Sequence, residues 1–236
     1  MTVSMRVRFF GYFEPLCADR VVPLRCNSKA QTILKHLIIN RQHPVSRDYL
    51  MGYLWPEASY KKARWSLNTS MYTLRRLLGS TLPQGTCKNL ILQEQGHYFL
   101  DPNIRLWVDK DVFENYYELG RCFEKNGRRK EAAAEYEKAI KLYRGDYLIE
   151  DLYEDWTMIE RERLSHIYTS ILSSLADYYT HVQLYHESSQ ICYRLLQRDR
   201  YNEKAYALLK ESYEGLGLHE RALRQRLMPE EVRINF

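Results

Sequence analysis

The chain has 236 residues, 45% of them apolar, and a formal net charge of +5, enough length for one large domain or two small ones with a real core. No run of about 18 apolar residues exists to form a membrane-spanning helix, and the N-terminal "MTVSMRVRFFG" lacks the apolar core and cleavage site of a secretory signal. Five scattered cysteines (Cys17, Cys26, Cys87, Cys122 and Cys192) form no CxxC and no metal-ligand spacing, which points to a reducing cytoplasm rather than a disulfide or metal framework.

In chain order, "RVRFFGYFE" (6–14) and "RVVPL" (20–24) read as short strands around a turn at Cys17–Asp19. Ser28 and Gln31 have capping-box spacing, so a helix starts there. Its apolar residues Ala30, Ile33, Leu34, Leu37 and Ile38 follow the helical period. "PVSRDYLMGYLWP" predicts a second, short helix with Ser46 as cap, Leu50 and Leu54 inside, and Pro56 as its stop. Ser59 is placed to cap a third helix. Gly79 is its expected end, because glycine takes positive φ cheaply. "STLPQGT" reads as a loop. The β-prone runs "KNLILQ" (88–93) and "HYFLD" (97–101) flank a tight turn at Glu94–Gly96. Strands, three helices and a hairpin, in that order, make a winged helix-turn-helix.

The third helix, "ARWSLNTSMYTLRRLLG" (63–79), is the informative one. Ala63, Leu67, Ser70 or Met71, Leu74 and Leu78 form one apolar stripe. The opposite face carries no acid, where a solvated helix mixes Glu with Lys. In this fold that face is offered to the major groove of DNA. Arg64, Asn68, Thr69 and Tyr72 are the base-contact candidates: Arg pairs with guanine, Asn with adenine, and Thr and Tyr with a thymine methyl or a phosphate. Lys61, Lys62, Arg75 and Arg76 flank them and suit phosphate contacts, which position without reading sequence. Taken alone, Arg75 and Arg76 are equally well read as solvated. Trp65 reads as half-buried against a neighbouring loop. Charge distribution agrees: residues 1–105 hold 15 Lys/Arg against 6 Asp/Glu, net +9, whereas residues 106–236 are net −4.

The texture changes near residue 105. "YELGRCFEKNGRRKEAAAEYEKAIKLYRGDYL" reads as two helices split at Asn126–Gly127. Tyr116, Leu119, Gly120 and Phe123 form the inner pattern of one, and Ala132, Tyr136 and Ala139 that of the other. The alternation of small and aromatic residues is the tetratricopeptide pattern. It returns twice. Ala176 to Lys210 and Ser188 to Ala222 are steps of 34, whereas Ala132 to Ser188 is 56, so about 22 residues beginning "GDYLIEDLYEDW" are inserted and expected to lengthen the following helix. Tyr178, Tyr179, Tyr185 and Tyr193 read as repeat core. The acidic cluster Glu150, Asp151, Glu154 and Asp155 reads as the solvated start of a long helix, with Mg²⁺ binding as the lesser alternative. His181 and His186 read as surface histidines. No phosphate-binding, nucleophile-elbow or zinc motif occurs, so no enzyme and no cofactor is expected.

Two sets of motifs carry a family resemblance that spans roughly residues 5–227. "VSRDYLMGYLWPE", "SYKKARWSLNTSMYTLRRLLG" and "GHYFLD" resemble a winged helix of the OmpR/PhoB type. "VDKDVFENY", "GRRKEAAAEYEKAIKLYRGDYL" and "EDWTMIERERL" resemble the bacterial transcriptional activator domain. Their pairing resembles the Streptomyces antibiotic regulatory protein (SARP) family.

The expected fold class is therefore mainly α in two domains. An α+β winged helix-turn-helix (1–105) precedes an all-α tetratricopeptide-like repeat domain (106–236). The resemblance implies an activator of the bacterial cytoplasm that binds direct repeats in double-stranded DNA, often as a homodimer, and contacts RNA polymerase. It places the wing tyrosine at Tyr98, with His97 where the family usually has Gly; both join the phosphate-contact candidates. No receiver domain is expected before the winged helix. The ending "LRQRLMPEEVRINF" is short for the family, consistent with a shortened member, a fragment, or one that caps itself by dimerising. A protein-interaction scaffold whose winged helix no longer binds DNA is the alternative reading.

Overall fold

The computed structural model describes residues 4–26, 28–82 and 89–222. The loop read at 80–86 and the ending read at 223–236 lie largely outside them. The chain falls into two units, Met1–Asp109 with Leu148–Leu152, and Lys110–Tyr147 with Tyr153–Phe236.

The first unit opens with strands β1 (Ser4–Arg8), β2 (Glu14–Cys17) and β3 (Arg20–Val21), joined by β7 (Arg105–Val108) in the order β3-β2-β1-β7. β1 is antiparallel to β2 and parallel to β7, and its alternate residues Met5 and Val7 are fully buried. The run read as one strand over 6–14 is thus two, parted by Gly11 at φ +85°. Ala18 and Asp19, both at positive φ, make the tight turn between β2 and β3.

Helix α1 (Lys29–Ile39) is capped as its sequence predicts: the Ser28 hydroxyl accepts the Gln31 N–H at 3.2 Å. Its stripe Ala30, Ile33, Leu34, Leu37 and Ile38 is buried. A short strand β4 (Val45–Ser46) leads into α2 (Arg47–Leu54), where the Ser46 hydroxyl accepts the Asp48 N–H. Helix α3 (Tyr60–Thr81) runs two residues past Gly79, which is helical and does not end it. The wing is β5 (Ile91–Glu94) and β6 (His97–Leu100), and β4 completes its sheet in the order β4-β6-β5.

Residues 148–152 belong to this unit although they follow it by some forty positions. The Leu148 N–H donates to the Phe9 carbonyl at 2.9 Å and the Ile149 N–H to Gly11 at 3.2 Å, before a 3₁₀ turn at Ile149–Asp151. That turn brings two carboxylates to Lys35, whose Nζ lies 2.9 Å from Glu150 and 2.5 Å from Asp151. Glu150 also accepts the Phe13 N–H at 3.0 Å. Lys35 is wholly buried, and the carboxylates are 2% and 10% exposed. The expectation of a solvated acidic cluster is therefore corrected. Glu150 and Asp151 neutralise a lysine in the middle of α1, and only Glu154 and Asp155 lie exposed at the start of a helix. The inserted residues divide accordingly: part lengthens the next helix and part completes the first unit. Asp109, 1% exposed, makes a similar long-range tie by accepting the Phe9 and Phe10 N–H groups.

The second unit is a run of helices, α4 (Asp109–Lys125), α5 (Arg129–Leu142), α6 (Asp155–His181), α7 (Tyr185–Arg198) and α8 (Glu203–Gly215). Its repeat is written in the turns. Gly127, Gln183 and Gly217 all take positive φ, at the 56- and 34-residue steps read from the sequence. After each, an N–H bonds five residues back: Arg128 to Phe123, Leu184 to Tyr179 and Leu218 to Tyr213. Gly120 meets the ring of Tyr136 so closely that a Cβ there would stand 2.3 Å from it, which explains the small residue. Two expected core positions face outward, Leu119 at 49% and Tyr193 at 47% exposure. Across this unit Lys110, Glu114, Glu160 and Arg163 form an ion cluster. There the Arg163 hydrogen bond and Lys110 hold Glu160 down to about 2, against the opposing effect of burial. His181 and His186 are exposed, and no group of His, Cys, Asp or Glu among the described residues has metal-site geometry.

Candidate nucleic-acid interface

Helix α3 carries the candidate residues, and its apolar period sets which way they face. Ala63, Leu67, Met71, Leu74 and Leu78 recur every three or four residues and all are at most 4% exposed. That stripe seats α3 on α1 and α2. Every residue that turns the other way follows from the same period. Lys61, Lys62, Arg64, Trp65, Asn68, Thr69, Tyr72 and Arg76 are exposed, so seven of the eight helix candidates lie on one open face together with Trp65.

The first turn of α3 is electrostatically odd. A helix N-terminus carries partial positive charge and favours acids. Here the first turn has no acid, holds Lys61 and Lys62, and receives no side-chain hydrogen bond from Ser59. Its free N–H groups and two ammonium groups therefore all favour an anion such as a phosphate. The local cost to the helix is on the order of 0.3–1 kcal/mol per misplaced charge.

Two phosphate-contact candidates are employed otherwise. Arg75 is half-buried and donates from Nε and Nη2 to the Ile91 carbonyl, at 3.3 and 3.1 Å, fastening strand β5 of the wing to α3. Tyr98 is 1% exposed, so the expectation that it meets a phosphate is corrected: its ring is core, set inward by the strand alternation that turns His97 out. Burial raises its phenol pKa, and the charges of Arg75, Arg47 and Arg64 act against that rise. His97 stays exposed with Nδ1 3.2 Å from the Gln95 carbonyl. The departure from the family's wing glycine is absorbed one residue earlier, since Gln95 and Gly96 both adopt positive φ and close the turn as a hairpin requires.

The remaining base-contact candidates differ in what they still offer. The side chains of Arg64 and Asn68 make no hydrogen bond among the described residues, whereas the Thr69 hydroxyl donates to the Trp65 carbonyl at 3.0 Å. Trp65 was expected half-buried and is 70% exposed; Tyr72 is 67% exposed. The signal for Trp65 was available, since it stands three residues before Asn68 on an otherwise polar face.

Among the described residues no helix is long and apolar enough to cross a membrane. No curated protein matches the chain. Among solved structures, Mycobacterium tuberculosis EmbR in complex with a low affinity phosphopeptide superposes with a TM-score of 0.71 at 21% identity, covering 96% of this chain. At that identity the likeness speaks to the fold, and this chain spans 59% of the length of EmbR. The family model of the bacterial transcriptional activator domain matches residues 108–226. With half of its length so matched behind a winged helix-turn-helix, the chain belongs to the bacterial transcriptional activator domain family.

Proposed function

We propose that this protein is a SARP-type transcriptional regulator that binds double-stranded DNA sequence-specifically through α3 and activates transcription. The observation that carries the reading is the outer face of α3, which is open, cationic and free of carboxylates over a helix of 22 residues. Arg64 and Asn68 read base edges from the major groove. Lys61, Lys62 and Arg76 hold phosphates, with His97 at the wing beside them. Arg75 serves the same end indirectly by fixing the wing. Binding to direct repeats near a promoter, as a homodimer that contacts RNA polymerase in the bacterial cytoplasm, is the further step that the family resemblance supports. The first unit runs through Asp109 and takes in residues 148–152, and we take it as the DNA-binding domain and the repeats as the activating one.

The test is selection of bound duplexes from a random pool by the whole chain, followed by binding titrations at rising salt. Arg64→Ala is expected to cost about 1–3 kcal/mol on the selected site and relax one base position. Lys61→Ala is expected to weaken all sequences alike and reduce the salt slope by about one. Failure to retain any duplex at low salt would overturn the proposal in favour of an interaction scaffold.

A further inference from the structure

The polar face of α3 carries more apolar surface than phosphate binding requires. Trp65, Asn68 and Tyr72 stand at i, i+3 and i+7, so the amide of Asn68 lies between two exposed rings on one line of the helix. No side-chain hydrogen bond or ring stacking engages Trp65 or Tyr72 among the described residues. Thr69 adds to this surface in an unexpected way. Its hydroxyl is committed to the Trp65 carbonyl, so the part of the side chain with no internal partner is its methyl group. Seven residues of helix span about 10 Å, or roughly three base-pair steps.

From this juxtaposition we propose that α3 reads A·T pairs through thymine 5-methyl groups, with Trp65 as the specificity-determining residue that a hydrogen-bond reading of the helix leaves out. Asn68 takes adenine at its N6 and N7 atoms. In the major groove the partner thymine shows a methyl beside its O4, as do any thymines on either side. Trp65 and Tyr72 cover those methyls with their ring faces, and the Thr69 methyl packs against the nearest. An indole left in water in the free protein is then buried in the complex, which favours binding wherever thymine is present. Arg64 remains the guanine reader at one edge of the site, so the predicted core is an A·T step run with a G·C pair at one end.

This inference rests on the reading of α3 as a DNA-binding helix, and replacing thymine by uracil separates the two. The exchange removes the 5-methyl and leaves every hydrogen-bonding group in place. The experiment uses the full chain and its selected duplex, with thymines replaced by deoxyuridine one at a time. At one or two positions uracil is expected to weaken binding about fourfold, the equivalent of one buried methyl group at ~0.8 kcal/mol. Trp65→Ala is expected to weaken the thymine duplex about tenfold and to bind thymine and uracil duplexes alike at that position, erasing the fourfold penalty. Trp65→Phe should restore part of the methyl preference. Because Trp65 is 70% exposed, its replacement leaves the core untouched, and an unaltered thermal transition checks this. Tight binding that ignores uracil at every position, or a selected core without A·T pairs, would overturn the inference and leave DNA binding standing. Loss of all duplex binding by the wild-type chain would instead overturn the underlying reading as well.

Discussion

Lys35 and Lys61 lie in the same unit, on helices α1 and α3, in opposite surroundings. Lys35 is wholly buried and has two carboxylates within 3 Å, drawn from residues more than a hundred positions away. Lys61 is exposed on a helix with no carboxylate at all. A charge taken out of water must be paired or the fold pays several kcal/mol. One left in water need not be paired, and the mutual repulsion of like cations there is screened by water and salt. What decides whether a cation serves the fold or an external anion is therefore whether the chain supplies its counter-ion. By that criterion Lys35 is structural, Arg75 is fastened to the wing through a carbonyl, and Lys61, Lys62, Arg64 and Arg76 have no carboxylate partner among the described residues.

The contrast is broken most sharply at Lys35. Glu150→Gln with Asp151→Asn leaves a buried ammonium uncompensated and is expected to lower stability by about 3–5 kcal/mol in chemical denaturation, with Lys35→Met restoring most of it. Arg75→Ala comes next. Losing its two bonds to the Ile91 carbonyl should cost about 1–3 kcal/mol, and it should weaken DNA binding without changing which bases are preferred, as a binding-site selection with the variant would show. The Glu160 cluster sharpens the comparison inside the second unit. Its carboxyl, held down to about 2 from the ordinary 4.5, contributes stability that is complete above pH 4.5 and is lost as pH falls through about 2. Glu160→Gln should flatten that segment of the acid unfolding curve. The smallest effect belongs to Lys61→Glu. It places an acid at the start of α3 and is expected to stabilise the protein by about 0.3–1 kcal/mol while lowering DNA affinity, a split between melting temperature and binding that a purely structural lysine would not produce.

What the sequence made legible was local. The stripes of α1 and α3 and the caps at Ser28 and Ser46 depend on residues two to four apart, and all four appear as read. The 56- and 34-residue steps reappear because each repeat closes on the same left-handed turn. What was hidden depends on distance or on register. Nothing near Glu150 and Asp151 announces that Lys35, some 115 residues earlier, is their partner, and an acidic pair before a helix reads naturally as solvated. Tyr98 was misread because strand side chains alternate: a one-residue difference between His97 and Tyr98 separates the surface from the core. Trp65 was misread in the other direction. Hydrophobic surface is ordinarily hidden, and only the position of this residue on the cationic face of α3 marks it as an exception.

The short stretch from Leu148 to Leu152 bears on how such a chain can be cut and rejoined. A shortened chain ended at residue 105 would keep all of α1, α2 and α3 yet lose both counter-ions of Lys35 and the two backbone bonds that Phe9 and Gly11 accept. A chimera that exchanged the activator region for a foreign one would face the same deficit unless the newcomer brought an acidic pair in the same place. The first unit is therefore discontinuous in sequence. Domain-exchange engineering with this protein should carry residues 148–152 along with the winged helix, or remove the lysine first.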